Sequence, residues 1–246
     1  MIEFENVSKT YNGKSMPVHA LLGVNLQIVE GEFAAVMGPS GSGKSTLLTV
    51  LGAMNPPTEG RLTIDGIDVY NLSVERQADF RREYVGFVFQ QLQLLPYLTA
   101  LENVLLALTI VRMPRAEKMS RARAVLVQVG LADKADRLPS QLSGGEQGRV
   151  AVARAIVLEP PLLLADEPTG SLDRATGTQV LELLRNLNNS GQTVVMVTHD
   201  PFAARYANRI VNILDGRIAG PQHTTQFLEQ VGCQPEVREI EMNALP

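Results

Sequence analysis

Four clusters of residues are equipped for chemistry. GPSGSGKST, residues 38–46, fits the phosphate-loop pattern G-x-x-x-x-G-K-[ST]. Gly38, Gly41 and Gly43 permit backbone conformations and close approaches that other residues resist. Together with Pro39, Ser40, Ser42 and Thr46 they would turn successive N–H groups toward a phosphate. Lys44 would sit as a point charge between phosphates, and Ser45 would offer its hydroxyl to Mg2+. In LLLADEP, Asp166 and Glu167 follow four apolar residues. Asp166 reads as the acid that holds the metal, and Glu167 as the group that orients and polarises an attacking water; two acids solvating a strand end is the plainer reading. VVMVTHD delivers His199, whose imidazole can donate to a phosphate oxygen. Last, LSGGEQGRVAVARA, residues 142–155, sets Ser143, Gly144, Gly145 and Glu146 before a helical run. That is a second layout for an anion at a helix start, in a chain that already has one. A simple helix cap is the alternative for Ser143, and equally for Asp173 in TGSLD, which precedes a helix beginning at Ala175.

The elements that must position these groups alternate between strand and helix. FAAVM and LLLAD are unbroken apolar runs, as in strands buried on both faces. TVVMVTH is a third. Each carries a candidate group just past its carboxyl end. STLLTVLGAM reads as the helix leaving the phosphate loop. Residues 175–189 read as a helix with Val180, Leu183, Leu184 and Leu187 on one face, and Gly191 as its stop. Before these, IEFENV, HALLGVNLQIV and RLTIDGIDV are strand candidates punctuated by Asn12-Gly13, Glu30-Gly31 and Asp65-Gly66. Residues 101–131 read helical, broken at Pro114 and stopped at Gly130. RIVNILDGRIA reads as a late hairpin. Strands alternating with helices imply a mostly parallel sheet.

Composition narrows the classes. At 246 residues and 45% hydrophobic content the chain can bury a large α/β core. A net charge of −4 argues against a general nucleic-acid binder. The single cysteine, Cys233, allows no disulfide within the chain. NVLLALTIV, the most apolar stretch, is far short of the ~20 residues a membrane-spanning helix needs, and the start MIEFENVSKTY has no secretory pattern. The expectation is a soluble chain whose membrane role, if any, comes through a partner. The polar stretch from Gly220 onward, with TTQFLEQV, is expected to form a short helix with a frayed end.

Taken together, the motifs resemble the nucleotide-binding subunit of ATP-binding cassette (ABC) transporters, in the family's order over roughly residues 2–220. The resemblance implies an α/β P-loop NTPase with a RecA-like core, an N-terminal antiparallel β subdomain, a helical subdomain inserted at about 91–159, and a tail at 221–246. It implies that Tyr11 stacks on adenine, although alone Tyr11 reads as a strand-edge tyrosine. It favours Gln90 over its neighbour Gln91 as the glutamine that touches Mg2+ and the attacking water. LSGGE resembles the family signature, GSLD the D-loop, and His199 the switch histidine. In this family two chains sandwich two ATPs head to tail. Ser143 Oγ and the Gly145 N–H, with Gly144 between them and Asp173 nearby, would then serve ATP held by the other copy. Where relatives often continue with glutamines, this chain has Glu146-Gln147-Gly148; Gly148 would either loosen the first helical turn or permit close packing.

YVGFVFQQLQLLPYLTALENV and ADEPTGSLD most resemble the group of macrolide exporters, lipoprotein-release ATPases and the cell-division ATPase that works with an FtsX-like membrane protein. The implied function is an ATPase on the cytoplasmic face of the inner (plasma) membrane, driving an FtsX- or MacB-like permease in export or extraction. The alternative is a regulatory ATPase that gates a periplasmic enzyme through such a partner. A soluble ABC ATPase of DNA repair or translation fits less well, since the chain has one cassette and no sustained heptads. Leu92, Leu94, Leu95, Pro96 and Tyr97 are divided evenly between a permease-docking groove and plain core.

Overall fold

A computed structural model describes residues 1–12 and 16–219. The chain runs β1 (Ile2–Asn12), β2 (Pro17–Ile28), β3 (Phe33–Met37), α1 (Lys44–Leu51), β4 (Glu59–Ile64), β5 (Ile67–Asp68), α2 (Val74–Tyr84), β6 (Val85–Val88), α3 (Ala100–Leu108), α4 (Arg115–Gln128), α5 (Gly144–Ile156), β7 (Leu162–Asp166), α6 (Arg174–Asn189), β8 (Thr193–Thr198), α7 (Pro201–Ala204), β9 (Arg209–Leu214) and β10 (Arg217–Ile218). Strands β9, β3, β8, β7 and β6 lie side by side in that order and parallel, with β10 antiparallel at one edge. A second, antiparallel sheet has the order β2-β1-β4-β5.

Every residue of β3 and β8 is buried, because both faces of the parallel sheet are covered. On one face Phe33, Met37, Leu163 and Met196 pack with residues of α3, α4, α5 and α6. On the other, Ala34, Val36, Leu164 and Val195 pack with α1 and the inner face of the antiparallel sheet. The helix between Gln90 and the signature starts on a full capping box: Thr99 Oγ1 accepts from the Glu102 N–H, and the Glu102 carboxylate accepts from the Thr99 N–H. Pro114 precedes α4, and Gly130, at φ +72°, follows it.

The structure departs from the sequence reading at three elements. Helix α2 has no apolar periodicity and buries only Phe80, so hydrophobic spacing gives no sign of it. On α6 the buried stripe is Val180, Leu181, Leu184 and Leu187; Leu183 is only partly covered. Helix α3 stops at Leu108, and the chain then turns, with the Val111 N–H donating to Leu108 O. The Gly13 half of the first expected turn lies outside the described residues, as do Cys233 and TTQFLEQV. Among the described residues, no helix is long and apolar enough to cross a membrane.

Candidate active site

Four neighbouring strands end on the same side. The phosphate loop leaves β3, His199 follows β8, Glu167 follows β7 and Gln90 lies just beyond β6. Adjacent strands are about 4.8 Å apart, so their carboxyl ends converge on one crevice, where open α/β sheets take their ligands. A cleft of about 620 Å³ there is lined by Pro39, Ser40, Gly41, Gly43, Lys44, Ser45, Thr46, Gln90, Glu167 and His199, with Val18, His19 and Ala20 from β2. The three β2 residues are not among the site candidates of the sequence, where His19 and Ala20 read only as part of a strand. No local signal marks them, since strand pairing and the β2–P-loop contact bring them in.

The phosphate loop is shaped by what surrounds its glycines. Gly43 caps α1 at φ +105°, and no side chain caps that helix. A Cβ on Gly43 would run into the Ala20 carbonyl, and one on Gly38 into the Ile213 carbonyl. The loop therefore lies against two strands, and the helix that follows it starts without a side-chain cap, an arrangement that suits an anion. Lys44 is buried, with Nζ donating to Gly38 O and Pro39 O, each at 2.9 Å. An ammonium has three donors, so one remains for the cleft. Ser42 is also buried, and its Oγ has no partner among the described residues.

Beside the loop, Ser45 Oγ donates to Asp166 Oδ1 at 3.2 Å. Burial pushes the Asp166 carboxyl above its usual range; the Ser45 hydrogen bond opposes this, Glu167 adds to it, and Lys44 pulls back. One hydroxyl and one carboxylate are hard oxygen donors. They are too few to cage a metal alone, and they suit Mg2+ bound jointly with phosphate oxygens and water. Glu167 sits at φ +44°, a conformation rare for a non-glycine residue. Its N–H donates to Val197 O, and its Oε2 lies 2.8 Å from His199 Nδ1. The carboxylate is thus turned off the strand axis and oriented by the imidazole. Glu167 is mostly covered, whereas the His199 side chain is 63% exposed.

Other residues singled out from the sequence lie apart from this lining. Tyr11 pairs across the hairpin with Val18, which does line the cleft. Lys9 Nζ stands 5.2 Å over the Tyr11 ring, and the Asn55 amide donates to the Tyr11 hydroxyl. Asp173 is the α6 cap: Oδ1 accepts from the Ala175 and Thr176 N–H groups, and Oδ2 from Thr176 Oγ1. These bonds, the Thr176 ones above all, hold its carboxyl below the usual range. Ser143 caps α5, and Glu146 reciprocates. Gly144, Gly145 and Gly148 face Leu172, Thr176 and Val180, so close packing is what Gly148 provides. The leucines after Gln90 divide. Leu92 is in the core and Leu94 packs against it, while Leu95, Pro96 and Tyr97 are exposed.

The family model described as "ABC transporter" matches residues 21–170. An ABC transporter ATP-binding protein of Methanocaldococcus jannaschii is 48% identical over 89% of this chain and 95% of its own length. The macrolide export ATP-binding/permease protein MacB of Sodalis glossinidius is 46% identical over 92% of this chain, which spans 35% of that longer protein. Among solved structures, an ATP-binding cassette dimer in a post-hydrolysis state with ADP and Pi has a TM-score of 0.81 at 46% identity, covering 89% of this chain and 97% of its own. CbiO1 of Clostridium perfringens, part of a cbiONQ transporter complex, also has a TM-score of 0.81, at 29% identity over 94% of this chain and 92% of its own. With residues 38–46, Asp166, Glu167 and His199 gathered at the carboxyl ends of neighbouring strands, the chain belongs to the ABC transporter family, as one of its ATP-hydrolysing cassettes.

Proposed function

We propose that two copies of this chain close around two ATPs and that the cycle of closing and opening drives a membrane permease of the MacB or FtsX kind, in export or extraction. One observation carries the reading. The cleft gathers Lys44, Ser45, Gln90, Glu167 and His199, while the signature residues of the same chain, Ser143, Gly144 and Gly145, lie outside its lining. A second copy turned head to tail would bring its signature to the open side. The solved dimer with ADP and Pi supports this, and the MacB relatives support a permease partner. Leu95, Pro96 and Tyr97, exposed beside Gln90, are the proposed permease contacts on this chain. The working place would be the cytoplasmic face of the membrane, reached through that partner.

The roles we propose rest on the motifs and are supported by the cleft lining. The loop N–H groups and Lys44 would hold the β- and γ-phosphates. Ser45, Asp166 and Gln90 would hold Mg2+, which supplies charge neutralisation at the phosphates when bound. Glu167 would accept a proton from water, its carboxylate aimed by His199, while Tyr11 would stack on the base. Ser143 Oγ and the Gly145 N–H would donate to the γ-phosphate held by the other copy, so loss of that phosphate would remove part of the interface. Mixing Lys44→Ala chains with Ser143→Arg chains tests the shared site. Each variant alone is expected to be inactive, and the heterodimer to recover one composite site and up to about half the parent rate per dimer, from one of two sites. A confirmed heterodimer with no recovery would sink the reading.

A further inference from the structure

Between Gln90 and α3 the chain makes a turn that ordinary residues resist. Leu92 and Gln93 both take positive φ, 56° and 48°, which costs a non-glycine residue about 1–2 kcal/mol each. Two in succession persist only where their surroundings over-determine them. Arg154, in the last turn of α5, supplies that constraint: Nη2 donates to Leu92 O at 2.7 Å and Nη1 to Gln93 O at 2.6 Å. A planar guanidinium presents two parallel N–H groups in a rigid fork, so it holds both carbonyls in one fixed geometry; an ammonium is a point donor on a flexible stem. Leu92 also donates its N–H to Phe89 O at 2.8 Å, so Gln90 is held between the end of β6 and the turn that Arg154 grips. Farther on, Asn103, fully buried, bonds both the N–H and the carbonyl of Leu95 and the carbonyls of Leu98 and Thr99. The segment is pinned at both ends, and the Gln90 end is pinned by the signature helix.

We propose that Arg154 is the positioning residue for Gln90: its grip on Leu92 and Gln93 keeps Gln90 at the cleft and joins the loop mechanically to α5, the helix that begins at Ser143. The inference rests on the reading of Gln90 as the residue that faces Mg2+ and water. It is tested on the nucleotide-free chain first, by hydrogen exchange in Arg154→Met. Exchange in residues 91–95 is expected to speed up about tenfold or more, as two charge-assisted bonds are lost, with α5 itself unchanged. With Mg2+ and ATP, kcat is expected to fall about ten- to a hundredfold, with KM within about twofold because Lys44 and the loop are untouched. In a Gln90→Ala background the same substitution should cost nothing more. Unchanged exchange, or a loss that multiplies on top of Gln90→Ala, overturns the proposal. If Gln90→Ala alone leaves the rate unaltered, the reading of Gln90 fails, and the exchange result still judges the grip. Should Arg154→Met not fold, Arg154→Lys, which keeps the charge and loses the rigid fork, is held to the same criteria.

Discussion

The chain has two glycine-rich helix starts, and they are built in opposite ways. At α1 the glycines take unusual conformations, Gly41 at φ +81° and Gly43 at φ +105°. Gly38 and Gly43 lie against backbone carbonyls, and no side chain caps the helix. At α5 none of the three glycines takes a positive φ, an added Cβ on each would first meet a side chain of the Leu172-to-α6 region, and the helix is capped by Ser143 and Glu146. The first start is bare and concave, a finished anion cradle. The second is a capped helix whose glycines let it lie close on its neighbour, with the Gly145 N–H left outside the cap's two bonds. On the function proposed above, the first start would hold a phosphate of its own chain's ATP, and the second would offer donors from one side to a phosphate held opposite. The two starts would then be complementary halves of one composite site.

The sharpest way to break the comparison is to give each start a methyl group. Gly43→Ala forces a Cβ into the Ala20 carbonyl at φ +105°. Left-handed strain of about 1–2 kcal/mol adds to an overlap of about 1–3 kcal/mol, and nucleotide binding should be lost. Gly41→Ala, at φ +81° with nothing within 4 Å, should pay only the strain and keep weakened binding. Melting curves and calorimetric titration with ATP check both. Equal losses from the two would mean that conformation alone, and not the β2 contact, makes this loop.

At α5 the balance is closer. Gly148→Ala gains about 1 kcal/mol of helix propensity, but its Cβ would stand 2.9 Å from Val180 Cγ2. Val180 is fully buried and β-branched, so it cannot swing aside. The expected net effect is a loss of about 1–2 kcal/mol by chemical denaturation. In Val180→Ala the new methyl group has room, and the coupling between the two changes should be about 0.5–3 kcal/mol. A Gly148→Ala protein more stable than the parent would show that the glycine is not there for packing.

Sequence carries these two regions unequally. The cradle is legible because its glycines, Lys44 and Ser45 fall within nine residues and follow a buried strand; Asp166, Glu167 and His199 are legible because each stands where an apolar run ends. What sequence does not carry is register between distant elements. The place of Ala20 under Gly43, of Val180 under Gly148, and of Arg154 on Leu92 and Gln93 are facts of packing. Arg154 reads in sequence as one charge in an apolar run. The leucines after Gln90 stay ambiguous for the same reason, since a core leucine and an exposed one differ only in which way the pinned turn sends them. Helix α2 is invisible because it buries a single side chain.

The smallest expected effect concerns Glu146, the residue that follows Gly144 and Gly145. Its carboxylate accepts from the Ser143 N–H at 2.7 Å while Ser143 Oγ accepts from the Glu146 N–H at 3.2 Å. The Ser143 N–H chiefly holds the carboxyl below its ordinary 4.5. A lowered pKa means that the unfolded chain binds more protons, so the contribution is complete above the unfolded value and is lost as pH falls through the folded one. Glu146→Ala should cost about 0.5–1 kcal/mol near neutral pH, and the gap to the parent should close on acidification through that range. Glu146→Gln keeps a side-chain acceptor that does not titrate, so it should hold its share of the cap at every pH. Urea titrations of the three proteins between pH 3 and pH 7 read this; a gap indifferent to pH would remove the carboxylate from the cap. Ser143 uses only a lone pair in this arrangement. Among the described residues its hydroxyl proton has no acceptor, so the capping box fixes the serine without consuming the donor that a phosphate across the interface would need.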